Sequence, residues 1–78
     1  MIKLLTELSE GESGAVLEIR GGHMLFNRLA AMGIIVGREI TKVSPVIMKG
    51  PVTVMVNRTK VAIGFSMANK ILVKVADS

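Results

Sequence analysis

Apolar and polar residues alternate along five segments of the chain, and this period of two predicts five short β-strands. The segments comprise residues 15–20, 38–44, 52–56, 61–63 and 71–76. The second segment is irregular because Ile40 and Val43 fall on opposite phases of the alternation, so we expect a β-bulge or a strong bend there. Residues 57–60 separate the third and fourth segments and predict a tight turn.

One segment has a helical period instead. Leu25, Leu29 and Met32 stand at positions i, i+4 and i+7, which places them on one face of a helix. Gly33 follows directly, at the position where a glycine commonly ends a helix. The pattern therefore predicts an α-helix from about Met24 to Met32.

Together these elements predict a mainly-β fold, a small five-stranded barrel with one α-helix after the first strand. A short helical turn near residues 66–69 precedes the last strand. With 78 residues, the chain is expected to form one domain over residues 1–78. The expected core comprises the residues on the apolar phase of each element: Leu17, Ile19, Leu25, Leu29, Met32, Val54, Val56, Ile63, Ile71 and Val73.

Composition indicates more apolar surface than so small a domain can bury. The hydrophobic share is 50%, whereas a domain of this size buries only about 60% of its unfolded surface. We therefore expect exposed apolar residues that a partner or a second copy covers. The apolar runs are a few residues long, far short of the about 20 that a membrane span needs. With no leader pattern and no cysteine, a cytoplasmic protein that does not insert into the membrane is expected.

The sequence offers little for catalysis or for metal binding. There is one histidine, one aspartate, no cysteine and no tyrosine, so we expect no enzyme and no cofactor. His23 could ligate a metal or donate a hydrogen bond to the backbone at the helix start. No further ligands stand at a recognised spacing from it, so we expect no metal site. The net charge of +4 raises nucleic acid as a partner, but the basic residues are scattered and only Phe26 and Phe65 are aromatic, which argues against it.

The residues expected to bind a partner are Arg28, Val46, Ile47, Met48, Lys49 and Leu72. Arg28 is the charged member of an apolar helix, and it either caps carbonyl groups or contacts an acidic partner. The loop between Pro45 and Pro51 holds three consecutive apolar residues, which either extend the flanking strands or form an exposed adhesive tip. Leu72 falls on the outward phase of its strand, as does Met55. These groups together predict a weak homodimer.

The order of these landmarks resembles the FeoA family of small cytoplasmic proteins of ferrous iron uptake. Residues 28–34 read R-L-A-A-M-G-I, similar to the family signature R-L-x-x-M-G-hydrophobic, and Gly37 follows at the expected distance. The similarity continues through Gly21-Gly22 before the signature and through Gly50-Pro51 and Ala62-Ile63-Gly64 after it.

The resemblance implies an SH3-like β-barrel, a role in iron transport and one partner, the cytosolic G domain of the membrane iron transporter FeoB. The family is commonly described in terms of transition-metal handling. The same fold serves as the C-terminal domain of iron-dependent repressors, so the alternative is a metal-sensing accessory domain that acts with a transcriptional repressor. The chain itself shows no metal-ligand cluster, which favours the transport role.

Overall fold

The computed structural model describes residues 1–45 and 47–76, which form a single antiparallel sheet and short helices. The elements in chain order are β1 (Ile2–Leu4), a 3-10 turn (Leu5–Glu7), β2 (Ser13–Ile19), α1 (Gly22–Ala31), β3 (Glu39–Lys42), β4 (Val52–Val56), β5 (Thr59–Ile63), α2 (Phe65–Ala68) and β6 (Ile71–Lys74). The mainly-β class and the helix before β3 are confirmed. The sheet also contains the short strand β1, so the structure has six strands and α1 follows the second.

The strands lie in the order β1-β6-β2-β3-β4-β5, so the two ends of the chain meet beside each other. β1 pairs with β6 from Ile2 opposite Lys74 to Leu4 opposite Leu72. The N–H group of Val75 donates to the carbonyl of Met1 at 2.8 Å and extends this pairing. A three-residue strand is too short to show an alternation, and only its pairing with the distant β6 makes it a strand.

Most of the residues expected in the core are buried or partly buried, and one is exposed instead. Leu29, Val54, Val56, Ile63, Ile71 and Val73 are buried, while Ile19, Leu25 and Met32 are partly buried against them. Leu17 is 41% exposed, and Val16 occupies the buried position instead. The reason is a bulge in β2: Val16 lies opposite Val73 and Glu18 opposite Leu72, so Leu17 is an extra residue. The bulge therefore changes which residues of β2 point into the core.

The bulge expected at residues 38–44 is absent, because β3 pairs regularly with both of its neighbours. Its inward positions are Ile40 and Lys42, and Val43 is only half-buried. A lysine therefore occupies an inward position of this strand. The break in the apolar pattern coincides with a buried charge, and the chain bends at Ser44, just after the strand.

Helix α1 is stopped by a Schellman motif. Gly33 has φ +88°, a conformation that glycine adopts without strain. Its N–H group donates to the carbonyl of Ala30 and the N–H group of Ile34 donates to the carbonyl of Leu29, both at 2.9 Å. Leu29 and Ile34 are both fully buried, so the motif also fixes the direction in which the chain enters the core.

The turn between β4 and β5 is a two-residue hairpin loop. Asn57 and Arg58 have φ values of 50° and 65°, the left-handed pair of a type I′ turn. Val56 lies opposite Thr59, so the strands resume directly on either side. The expected tight turn is confirmed, and it is shorter than residues 57–60.

Candidate functional site

A shallow depression between the two helices brings together residues distant in sequence. It is lined by Gly21, Met24, Leu25, Arg28 and Met67, and its volume is about 270 Å³. The positions in α1 follow the spacing i, i+3, i+4 and i+7 from Gly21, so they lie on one helix face. We refer to these five residues as the α1–α2 depression.

Glycine at position 21 keeps one wall of the α1–α2 depression open. A Cβ atom placed on Gly21 would lie 2.5 Å from Cδ2 of Leu25, closer than any normal contact. The same position would lie 3.3 Å from the Cδ atom of Lys70, so the stem of this lysine borders the depression. Any side chain at position 21 would therefore force the wall to rearrange.

Arg28 lies in the last turn of α1 with its side chain exposed. Within residues 1–45 and 47–76, no hydrogen bond or ion pair from its guanidinium is found. Arg28 therefore does not cap carbonyl groups in the structure, which was one of the two roles expected for it. The guanidinium is available at the edge of an otherwise apolar depression.

The loop that connects β3 to β4, which we call the proline loop (residues 45–51), presents its tip to solvent. Ile47 is 70% exposed and Met48 is 95% exposed. Met48 and Lys49 have φ values of 52° and 58°, and the N–H group of Gly50 donates to the carbonyl of Ile47 at 2.9 Å. The tip is thus a type I′ turn made of non-glycine residues, which carries backbone strain.

The sequence allowed two interpretations of the proline loop, an extension of the flanking strands or an exposed tip. For the residues that the structure describes, the exposed tip is correct. Met48 is exposed and does not extend the flanking strands into the core. Val46 lies outside the described residues. Lys49 is exposed beside Met48, so the tip combines apolar surface with one positive charge.

Leu72 lies on the phase opposite to the buried Ile71 and Val73, as expected. It is nevertheless half-buried, because Leu4 of β1 and Glu18 of β2 flank it on the neighbouring strands. Met55 on β4 is half-buried as well. The structure therefore places the expected partner-binding residues on three separate elements: α1, the proline loop and β6.

A buried lysine forms a polar cluster that the sequence did not reveal. Lys42 is 4% exposed, and its Nζ atom donates to the carbonyl oxygens of Leu8 at 2.5 Å and Thr6 at 3.2 Å. Burial lowers the pKa of Lys42, and the negative charge of Glu12 partly opposes this shift. The ammonium group attaches the segment after β1 to β3, a structural role.

Glu12 completes this cluster at the surface. Its carboxylate accepts hydrogen bonds from the backbone N–H of Ser9 at 2.9 Å and from Nζ of Lys3 at 3.2 Å. The bond from Ser9, followed by the bond from Lys3, lowers the pKa of Glu12. The only sign of the cluster in the sequence was the position of Lys42, which stands on the same strand phase as Ile40.

The part of the chain that the structure describes contains no group of three or more His, Asp or Glu side chains placed to hold a metal ion. His23 is exposed on the first turn of α1. The absence of a tight metal site stays a prediction. Among the described residues, no helix is long and apolar enough to span a bilayer.

Comparison with known proteins identifies one family, and the similar structures share the fold of this chain. The sequence profile of the FeoA domain matches residues 3–75. A crystal structure of an iron uptake regulatory protein (FeoA) is 31% identical, with a TM-score of 0.89 over 95% of this chain and 97% of that chain. A search of curated protein sequences found no significant match.

Two further structures are similar. FeoA of Stenotrophomonas maltophilia, solved in complex with zinc and described as an SH3 domain protein, is 27% identical with a TM-score of 0.76, over 95% of this chain and 89% of that one. A manganese-dependent transcriptional repressor is 20% identical with a TM-score of 0.86, and the match covers 96% of this chain but 42% of the repressor. The repressor shares the fold alone. These matches confirm the SH3-like fold.

Proposed function

The chain belongs to the FeoA domain family of non-catalytic accessory proteins, and from this premise we propose that it binds the cytosolic part of the ferrous iron transporter FeoB. The observation that supports this most is the match to an iron uptake regulatory FeoA protein over nearly the full length of both chains. The whole domain, and not one segment of it, is therefore shared with that protein.

The distribution of exposed apolar side chains supports a function in binding. Met24, Ile47 and Met48 are each at least 70% exposed. Methionine suits contact surfaces because its unbranched side chain adapts to the shape of a partner. Two candidate docking surfaces follow, the α1–α2 depression with Arg28 and the tip of the proline loop with Lys49.

The alternative function is a metal-sensing domain that acts with a repressor. A shared fold does not by itself favour it, because the sequence identity to the repressor is only 20%. A calorimetric titration with ferrous and manganous ions separates the two functions. A sensor binds its metal stoichiometrically at micromolar concentration or below, whereas we expect no saturable binding by the isolated chain.

The test of the proposed function is retention of the transporter by the immobilised chain from detergent-solubilised membranes. We expect the full-length FeoB transporter from the same source to be retained. A transporter truncated to remove its cytosolic G domain is the control, and we expect it to pass through. Equal retention of both forms, or retention of neither, would contradict the proposal.

A further inference from the structure

We infer that the α1–α2 depression anchors an acidic amphipathic segment of the partner protein, with one apolar side chain in the depression and a carboxylate on Arg28. This inference rests on the proposed function and specifies which surface carries it. The depression combines an apolar lining with a cation that has no acidic partner among the described residues.

The size of the depression indicates what can occupy it. Its volume of about 270 Å³ lies just below the range of about 300–1,000 Å³ typical of pockets for drug-sized ligands. It is therefore too small for a typical cofactor but can accept one large side chain. The lining by Met24, Leu25 and Met67 favours an apolar side chain, and the two methionines can adjust to its shape.

Charge complementarity indicates what surrounds that side chain. The chain has no Asp or Glu between residues 19 and 38, whereas Arg20, His23, Arg28 and Arg38 lie in this stretch. Arg20 forms an ion pair with Glu18, and Arg38 donates to the carbonyl of Gly33 at 3.4 Å. Arg28 has neither kind of partner among the described residues, so its guanidinium can bind a ligand.

Lys70 adds a second positive charge near Gly21, about two helical turns from Arg28. Its stem borders the depression beside Gly21, and the residue is exposed. The N–H group of Arg20 donates to the carbonyl of Lys70 at 2.7 Å, which continues the pairing of β2 with β6 and holds the residue before α1 beside the segment after α2. A cation thus lies near each end of the apolar depression, Arg28 in its lining and Lys70 beside Gly21. This arrangement is complementary to a hydrophobic residue flanked by carboxylates.

A protein segment fits this surface better than a nucleic acid or a lipid headgroup. Nucleic-acid binding depends on several cations along the phosphate backbone and, for single strands, on aromatic rings for stacking. The five lining residues include one cation and no aromatic ring. An arginine at the border of a buried apolar contact can instead bind one carboxylate in a bidentate manner. The methionine lining then contributes apolar burial.

The inference is tested with the purified cytosolic G domain of FeoB from the same source as the probe, measured by calorimetry. The variants are Arg28→Glu and Met24→Glu. The control for the first is Lys60→Glu, an exposed position on β5 with the same change in charge. The control for the second is Val36→Glu, which introduces the same charge at an exposed apolar residue outside both candidate docking surfaces. Met48→Glu is measured beside them as a separate probe of the proline loop.

We expect both α1 variants to weaken binding by about tenfold or more, as for central contact residues, and both controls to bind within about twofold of wild type. All four side chains are exposed, so melting temperatures should stay close to wild type. Higher salt should weaken binding of the wild type more than that of Arg28→Glu, because the ion pair is screened.

The experiment distinguishes failure of the inference from failure of the proposed function. If the G domain binds both α1 variants as tightly as wild type, the inference is wrong while the proposed function stands, and a loss with Met48→Glu would place the contact on the proline loop. A wild-type chain that does not bind the G domain contradicts the proposed function and the inference with it. Arg28-dependent binding to vesicles containing phosphatidylserine, stronger than binding to the G domain, would assign the depression to lipid headgroups and overturn the inference.

Discussion

The side chain of Lys42 shows how one residue can join two segments of a small domain. Its ammonium group is surrounded by protein and donates to the carbonyl groups of Thr6 and Leu8. Burying a charge is unfavourable, and the lowered pKa of Lys42 reflects this. The carbonyl groups, however, would otherwise lack a donor, so the hydrogen bonds offset the desolvation.

We expect Lys42→Met to lower the free energy of unfolding by about 1–3 kcal/mol at pH 7. Methionine keeps the apolar stem but leaves the carbonyl of Leu8 buried without a donor, and this loss exceeds the relief from removing a buried charge. Chemical denaturation beside the exposed control Lys60→Met measures the difference. A variant more stable than wild type would show that desolvation of the ammonium group dominates.

The same residue predicts a pH dependence with a definite sign. Because the pKa of Lys42 lies below its ordinary value of 10.5 in the folded chain, the unfolded chain binds more protons between the two pKa values. Wild-type stability relative to Lys42→Met should therefore rise as the pH increases toward 10.5. Denaturation at a series of pH values up to 10.5 tests this, and a difference that shrinks with pH would contradict it.

At the scale of an element, helix α1 is defined by its C-terminal stop. The Schellman motif at Gly33 pairs the carbonyl groups of Leu29 and Ala30, and it directs Ile34 into the core. A side chain at position 33 would strain the backbone and would also place a Cβ atom 3.3 Å from Cγ1 of Val56. The helix end and the hairpin of β4 and β5 are thereby packed closely together.

We expect Gly33→Ala to lower stability by about 1–2 kcal/mol, the sum of a left-handed backbone and a tight contact. Gly37→Ala is the matched control, because Gly37 has φ +92° and no atom lies within 4 Å of its would-be Cβ atom. The control should therefore show the backbone effect alone. Thermal unfolding of both variants measures the difference, and equal losses would show that Val56 moves aside freely.

At the scale of the whole molecule, several large apolar side chains are exposed among the described residues. Exposed large apolar residues occur at the N-terminus, on β2, on α1, after the helix and at the proline loop, the last with Ile47 and Met48. Met55 and Leu72 are half-buried and contribute less than the sequence pattern indicated. The apolar patch expected to mediate a dimer is therefore concentrated on the proline loop.

A weak homodimer stays a prediction, and the structure sharpens its test. We expect sedimentation of the wild type to show self-association between micromolar and millimolar concentration, since apolar patches meet most often about a two-fold axis. Ile47→Glu should reduce it, while Met24→Glu should not. Leu72→Glu is a poor probe because Leu72 is packed between β1 and β2. A wild type that stays monomeric over the whole range would refute the dimer.

The sequence by itself determined those features that arise from neighbouring residues. Helix α1 and its glycine stop follow from the spacing of Leu25, Leu29 and Met32. The hairpin of β4 and β5 follows from two alternating segments around Asn57 and Arg58. In each case the hydrogen bonds join residues a few positions apart. The spacing of apolar side chains along the chain is therefore enough to locate the element.

Tertiary structure alone decided the rest, because those features depend on partners far away in the chain. The bulge at Leu17 exists only relative to β6, and β1 exists only because β6 pairs with it. Lys42 is tolerated in the core because carbonyl groups more than 30 residues away receive its hydrogen bonds. The α1–α2 depression likewise requires Met67 of α2 to lie in the same lining as residues of α1. No local period encodes such contacts, since their energy is gained only when the chain closes on itself.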